Sequence, residues 1–257
     1  MVTLYHREIK EAISIANDVY DKYKNIIKKP LNFRADGFVI HILYSEGIQL
    51  DSHPFSSDIC GLFYVDEYEK TIVYNSNQPS ERRNFTLGHE LGHYFIHSEM
   101  QSQFSDRTKD LVDNSIKPFE IQANVFASYI LLPKYVLEWM LSSQYSFYRI
   151  KKVVKISKEA LFWRLVNHFI EVYNFSSKEA ILITEEYRQY SIKKIKNEAH
   201  HINAQVFKLT HSNKHSIVEN LMSSNIDLSY GNDEEIRKPK KKSMRSVIDI
   251  IKSELFS

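Results

Sequence analysis

The chain is short of the residues that cross-link, break or repeat. It has a single cysteine, Cys60, in 257 residues. No intramolecular disulfide can form, which fits a reducing compartment. Six Gly and six Pro leave little material for long irregular loops. No apolar run approaches the roughly 18 residues of a membrane span, and "FASYILL" is among the longest. The N-terminal stretch "MVTLYHREIKEAISIAND" carries charges at His6, Arg7, Glu8, Lys10 and Glu11 and lacks the apolar core of a signal peptide. There is no internal repeat, and nothing reads as disordered or fibrous. These absences point to a cytoplasmic globular protein.

What is present is core-forming material. Hydrophobic residues make up 43% of the chain, with 16 Tyr and 15 Phe, enough for one large domain or two modest ones. The net charge of +2 is unevenly placed: residues 1–145 carry 14 Lys/Arg against 19 Asp/Glu, and residues 146–257 carry 20 against 13. A basic C-terminal half suits nucleic acid or an acidic protein, and equally a solvated helical surface.

Apolar spacing near 3.6 over residues 3–28 predicts an amphipathic helix, ended by "KKP". Three β-prone runs follow, "GFVIHIL" (37–43), "ICGLFYV" (59–65) and "TIVYN" (71–75), the last two joined as a hairpin. From about residue 84 the pattern becomes mainly helical. "SERRNFTLGHELGHYFIHS" is one helix, and "KPFEIQANVFASYILLP" is another, running from Pro118 to Pro133. Three shorter helices follow, in "PKYVLEWMLSSQ", "SFYRIKKVVK" and "SKEALFWRLVNHFIEVY". "NAQVFKLT" (203–210) reads as a strand, residues 232–245 as a charge-dense linker, and "SMRSVIDIIKSELF" as a terminal amphipathic helix.

The chemistry concentrates in "FTLGHELGHYFIH", residues 85–97. His89 and His93 stand at i and i+4, so on a helix they share a face and can offer imidazole nitrogens to one metal ion. Glu90, one residue on, is placed to take a proton from a water activated there and to deliver it to a leaving amine. An apolar stripe of Phe85, Leu87, Leu91, Phe95 and Ile96 can bury one side of this helix. Gly88 and Gly92 weaken a helix, which is explicable if another backbone approaches closely there. The alternative is an ordinary buried helix that contains histidines.

A catalytic zinc site usually has three protein ligands and an open position. His97 lies two turns beyond His89, and no Gly after His93 bends the helix to bring it round; a helix-end or supporting role suits it better. Downstream, Glu120, Ala123, Asn124 and Ala127 form one face of the next helix. The two alanines allow close approach, Glu120 can complete a His-His-Glu set, and Asn124 can hydrogen-bond a ligand or the facing backbone. Spacing alone leaves Glu99, Asp106, Asp110 and Asp113 in contention for the third position.

Together, "RRNFTLGHELGHYFIH" and "EIQANVFASYILLP", preceded by "GLFYVDEYEKTIVYN", resemble the ImmA/IrrE family of metallopeptidases over about residues 5–170. The chain departs from that pattern at Asn84, where the family has a second Arg, and at Gly88, where it has Ala; neither removes a metal-capable residue. The resemblance implies an α+β, zincin-like fold in which a small antiparallel or mixed sheet packs on helices. It implies His89, His93 and Glu120 as ligands of Zn2+, with Mn2+ or Fe2+ as alternatives, and Glu90 as general base. Asn124 and His97 would be supporting residues. It implies cleavage of a partner helix-turn-helix repressor that controls a mobile element, a phage or a stress response.

The expected organisation is a peptidase domain over 1–140, a helix-turn-helix-like segment over 141–175, and a mixed C-terminal region over 176–257 with a basic linker and a terminal helix. In the middle segment Ser157 is a good N-cap, with Ala160, Leu161, Leu165 and Phe169 as core positions. DNA contact by this segment is the lesser expectation beside repressor docking or structural support. "GLFYVD" or "TIVYN" would be an edge strand that holds an extended substrate. Tyr94 and Cys60 are read as packing residues rather than an oxyanion donor and a metal ligand. The competing function is a non-enzymatic regulator on the same fold, acting by binding protein or DNA.

Overall fold

A computed structural model describes residues 2–55, 59–65, 68–98, 103–107, 118–192, 200–209 and 212–223. The chain divides into two compact units, with the boundary between Pro133 and Lys134. The expected linker at 232–245 and terminal helix lie outside the described residues.

The first unit begins with α1, Val2–Tyr23, as its periodicity predicts, followed by two 3-10 turns, Lys24–Ile26 and Pro30–Asn32. Its buried stripe of Ala12, Ala16, Val19 and Tyr23 faces inward. The run at 37–43 is not a strand. It lies in α2, Ala35–Ser45. Val39, Ile40 and Ile42 suggest a strand by their β-branching, but Phe38, Val39, Ile42 and Leu43 are the residues buried, and that i, i+1, i+4, i+5 set is a helical face.

Four strands form a mixed sheet: β1 Gln49–His53, β2 Ile59–Val65, β3 Lys70–Asn75 and β4 Gln103–Arg107, in the order β1-β3-β2-β4. β3 pairs with β2 antiparallel and with β1 parallel. β4 pairs antiparallel with β2, with a register irregularity between Ile59 and Gly61. The edges are therefore β1 and β4. Neither "GLFYVD" nor "TIVYN" is an edge strand, because each has a partner on both sides. The polar, mostly exposed "QLDSH" gives β1 no alternation to read.

Under the sheet runs α3, Ser80–His97, with α4, Pro118–Leu131, against it. Residues 86–93 are all buried, so α3 is enclosed all round rather than along one stripe. α2, β2 and β3 contact it, and α1 and α4 complete the enclosure. Pro118 occupies the first helical position of α4, where its fixed φ and missing N–H cost least.

The second unit contains α5 Lys134–Ser142, α6 Phe147–Val154, α7 Lys158–Tyr173, α8 Ser177–Ile192 and α9 Lys214–Ser223. Ser157 caps α7 by accepting the Ala160 N–H at 3.0 Å, and Ala160, Leu161, Leu165 and Phe169 are buried as expected. The stretch read as a strand at 203–210 contains a 3-10 turn over Gln205–Lys208 instead. Its Gln205 N–H is taken by the Glu186 carboxylate on α8, at 2.8 Å.

Candidate metal centre

The helix α3 carries His89 and His93 one turn apart, and their Nε2 atoms face each other at 3.0 Å. Glu120, in the first turn of α4, comes to the same place: its Oε2 is 3.2 Å from His89 Nε2 and its Oε1 is 3.5 Å from His93 Nε2. These residues form a three-member group of metal-capable side chains among those described. Glu99, Asp110 and Asp113 lie outside the described residues, and Asp106 is placed in β4 opposite Gly61.

The close approach of α4 depends on missing side-chain atoms. A Cβ at Gly92 would stand 2.9 Å from the Ala123 Cα and 3.1 Å from its carbonyl oxygen. One at Gly88 would stand 3.3 Å from both the Cα and the Cβ of Ala127. The Gly pair on α3 thus seats against the Ala pair on α4, as the small-residue face of α4 suggested, and the seating delivers Glu120 to the histidines.

The outer nitrogens of the two rings are also held. His89 Nδ1 lies 3.0 Å from Asn124 Oδ1, an acceptor, so it carries the proton and Nε2 presents its lone pair. His93 Nδ1 lies 3.0 Å from His97 Nδ1, and His97 Nε2 lies 3.0 Å from Gln122 Oε1. His97 therefore stands on the far side of His93 from Glu120, and the exposed edge of Phe119 packs on its ring. Burial pushes His93 down to about 4, with the neighbouring histidines adding to it against Glu120, so at neutral pH the ring is uncharged. Burial opposes the charge on Glu120, but the imidazoles of His89 and His93 beside it outweigh burial and hold the carboxyl well below the usual carboxylate range.

The donor set fits a small divalent cation. Two imidazole lone pairs and a carboxylate converge on one point, a cluster of acceptors that only a positive charge favours. Three donors on a tetrahedral ion at 2.0–2.1 Å stand about 3.3 Å apart, and the observed separations are 3.0, 3.2 and 3.5 Å. The nitrogen and oxygen donors suit zinc, iron or manganese.

Glu90 is fully buried, on the sheet side of α3. β2 passes directly over it: a Cβ at Gly61 would stand 2.9 Å from Glu90 Oε1 and 2.5 Å from the Thr86 Cγ2. Only glycine lets the strand come this close, and this positioning role has no signature in the sequence. Tyr94 points elsewhere. Its hydroxyl donates to Glu46 Oε2 at 3.0 Å and accepts from Lys70 Nζ at 3.0 Å, and its ring packs edge-on to Phe63. Glu46 also accepts from Lys22 and Tyr23, so the cluster ties α1, α2, β3 and α3 together. Cys60 is buried and accepts from Arg82 Nη2 at 3.0 Å.

Comparison with known proteins agrees with this geometry. Residues 44–166 match the peptidase M78 family, described as the IrrE N-terminal-like domain. The chain is also similar to the uncharacterized immunity region protein 2 of Bacillus phage phi105, at 34% identity over 90 residues, 35% of this chain and 54% of the phage protein. It thus spans about half the length of that relative. The match encloses α3, α4, Glu90 and all three converging residues. Residues 44–166 thus resemble the peptidase M78, IrrE N-terminal-like domain, with the two histidines, Glu90 and Glu120 inside the matched stretch.

Proposed function

We propose that this chain is a metal-dependent endopeptidase that holds one divalent ion, zinc by preference, on His89, His93 and Glu120, and that it cleaves a partner transcriptional repressor. The observation that carries the reading is the convergence of two imidazole nitrogens and one carboxylate at about the spacing of a tetrahedral ion. An ion held by His89, His93 and Glu120 would supply Lewis-acid polarisation of the scissile carbonyl and a water whose pKa is lowered to about 7. The chain's own part is proton handling and shape. Glu90, on the same helix turn as His89, takes the proton from the attacking water and passes it to the leaving amine nitrogen. Its burial under Gly61 keeps competing water from its carboxylate. Asn124 and His97 hold the two imidazoles in register from behind.

The match to the peptidase M78 domain and the similarity to a phage immunity-region protein support a repressor as the substrate. We assign the second unit to recognition of that partner. Among the described residues, α7 buries Ala160, Leu161, Phe162, Arg164, Leu165, Val166, His168 and Phe169. A helix enclosed to that extent has few side chains left to reach base edges in a DNA groove, so docking of protein is the reading we favour over contact with DNA. No helix among the described residues is long and apolar enough to cross a membrane.

The test is Glu90→Gln. The variant should fold and keep its metal, yet fail to cleave the partner helix-turn-helix repressor when the two are mixed with zinc or co-expressed. Full repressor inactivation by that variant would instead favour a regulator that works by binding alone.

A further inference from the structure

We propose that Glu11, on the N-terminal helix and outside the matched domain, is a positioning residue of the metal centre: through Gln122 and His97 it fixes the tautomer of His93. The inference rests on the metal-centre reading above. It follows from a chain of hydrogen bonds in which the donor at each link is forced by the previous one. The Glu11 carboxylate can only accept, so Gln122 turns its amide nitrogen to it, at 3.3 Å from Nε2 to Glu11 Oε2. That leaves the Gln122 carbonyl oxygen facing His97 Nε2 at 3.0 Å, and His97 Nε2 must donate. A neutral imidazole has one donor and one acceptor, so His97 Nδ1 accepts. It therefore takes the proton of His93 Nδ1, 3.0 Å away. The other nitrogen of His93, Nε2, then presents its lone pair toward His89 and Glu120.

Burial makes this chain consequential. His93, His97 and Gln122 are all buried, at 2%, 1% and 5% exposure. No bulk water is at hand to supply a missing acceptor or to let the rings exchange tautomers freely. Glu11 is exposed and lies 111 residues before Gln122, so the orienting group enters from the surface and from α1. The contact of α1 with α4 sets Glu11 over Gln122, two residues past Glu120. His89 has a shorter arrangement, with Asn124 accepting its Nδ1 proton.

The experiment is a zinc-affinity measurement on the full chain by competition with a chromophoric chelator, with zinc alone as the probe. Outer-shell partners of metal-bound histidines typically change affinity by about 10–100-fold. Gln122→Leu should weaken zinc within that range, and Glu11→Ala by about tenfold, with circular dichroism unchanged for the exposed Glu11 variant. Glu11→Gln should stay within about threefold of the parent, because its amide oxygen still accepts from Gln122. Zinc binding at parental strength by Glu11→Ala would overturn the inference, whatever Gln122→Leu does. So would an equal loss in Glu11→Gln and Glu11→Ala, since charge rather than hydrogen-bond direction would then be at work. A parent chain that binds no zinc would remove the metal-centre reading itself, and this inference with it.

Discussion

Gly92→Ala puts one methyl group between the two helices that build the site. The added Cβ would stand 2.9 Å from the Ala123 Cα and 3.1 Å from its oxygen. Carbon atoms pack at about 3.5–4.0 Å, so α4 must retreat by roughly 0.6 Å or more at Ala123. The neighbour is backbone, not a flexible side-chain end, so the cost belongs to the upper part of the roughly 1–3 kcal/mol typical of overpacking. Replacing Gly by Ala in a helix returns about 1 kcal/mol. A net loss of about 1–2 kcal/mol remains. Glu120 lies three residues before Ala123 on the same helix, so the retreat also draws its carboxylate from the histidines. Sites of this kind tolerate about 0.5 Å of misplacement. Urea unfolding in EDTA measures the first effect. The increase in midpoint on adding zinc measures the second, since a ligand that binds only the folded state stabilises it according to its affinity. Gly92→Ala should lower the midpoint in EDTA and shrink the zinc increment. Gly88→Ala, whose Cβ meets Ala127 at 3.3 Å, should lie within about 1 kcal/mol of the parent, its clash largely offset by helix propensity. A Gly92→Ala chain as stable as the parent in EDTA, with an unchanged zinc increment, would refute the claim that the Gly/Ala seam sets the position of Glu120.

Two further substitutions probe other parts of the account. Gly61→Ala drives a methyl into Thr86 and the Glu90 carboxylate; it should cut repressor cleavage by roughly a hundredfold, the scale of a 1 Å misplacement, while zinc affinity by chelator competition stays near the parent value, and a parental cleavage rate would count against the role given to Glu90. Glu186→Gln tests a buried acid in the second unit: burial pushes its carboxyl up to about 7 from 4.5, against the opposing hydrogen bond from the Gln205 N–H. A raised folded-state pKa means that the stability of the protonated form is fully present below pH 4.5 and lost as pH rises through 7. The Gln variant, whose amide oxygen can still accept that N–H, should therefore gain on the parent between pH 5 and pH 8 by on the order of 2–3 kcal/mol, read from urea midpoints; an equal difference at both pH values would contradict the assignment.

How legible each feature was depended on whether its cause is local. The helices α3 and α4 and the strands β2 and β3 stand where periodicity and flanking residues place them. The i, i+4 spacing puts His89 and His93 on one face without any tertiary knowledge. The Gly88/Gly92 and Ala123/Ala127 pairs hinted that the two helices touch, and they do. The failures have non-local causes. α2 reads as a strand because its β-branched residues mimic one, whereas its burial against α3 and α4 is a helical pattern. β1 is polar and mostly exposed, held by parallel pairing with β3. Its presence moves the sheet edge away from the strands that the apolar pattern singled out. At the site, Gly61 over Glu90 and Glu11 over Gln122 are contacts between distant segments, and neither residue carries a local mark of its role.

The central claim is that His89, His93 and Glu120 hold one metal ion, and metal content measures it most directly. Purified chain, dialysed against zinc and then against metal-free buffer, should retain close to one zinc per chain by elemental analysis. Glu120→Ala and the double variant His89→Ala/His93→Ala should retain little or none under the same dialysis, while keeping the parental circular dichroism spectrum. A parent chain without zinc, or a Glu120→Ala chain that keeps its full complement, would contradict the account.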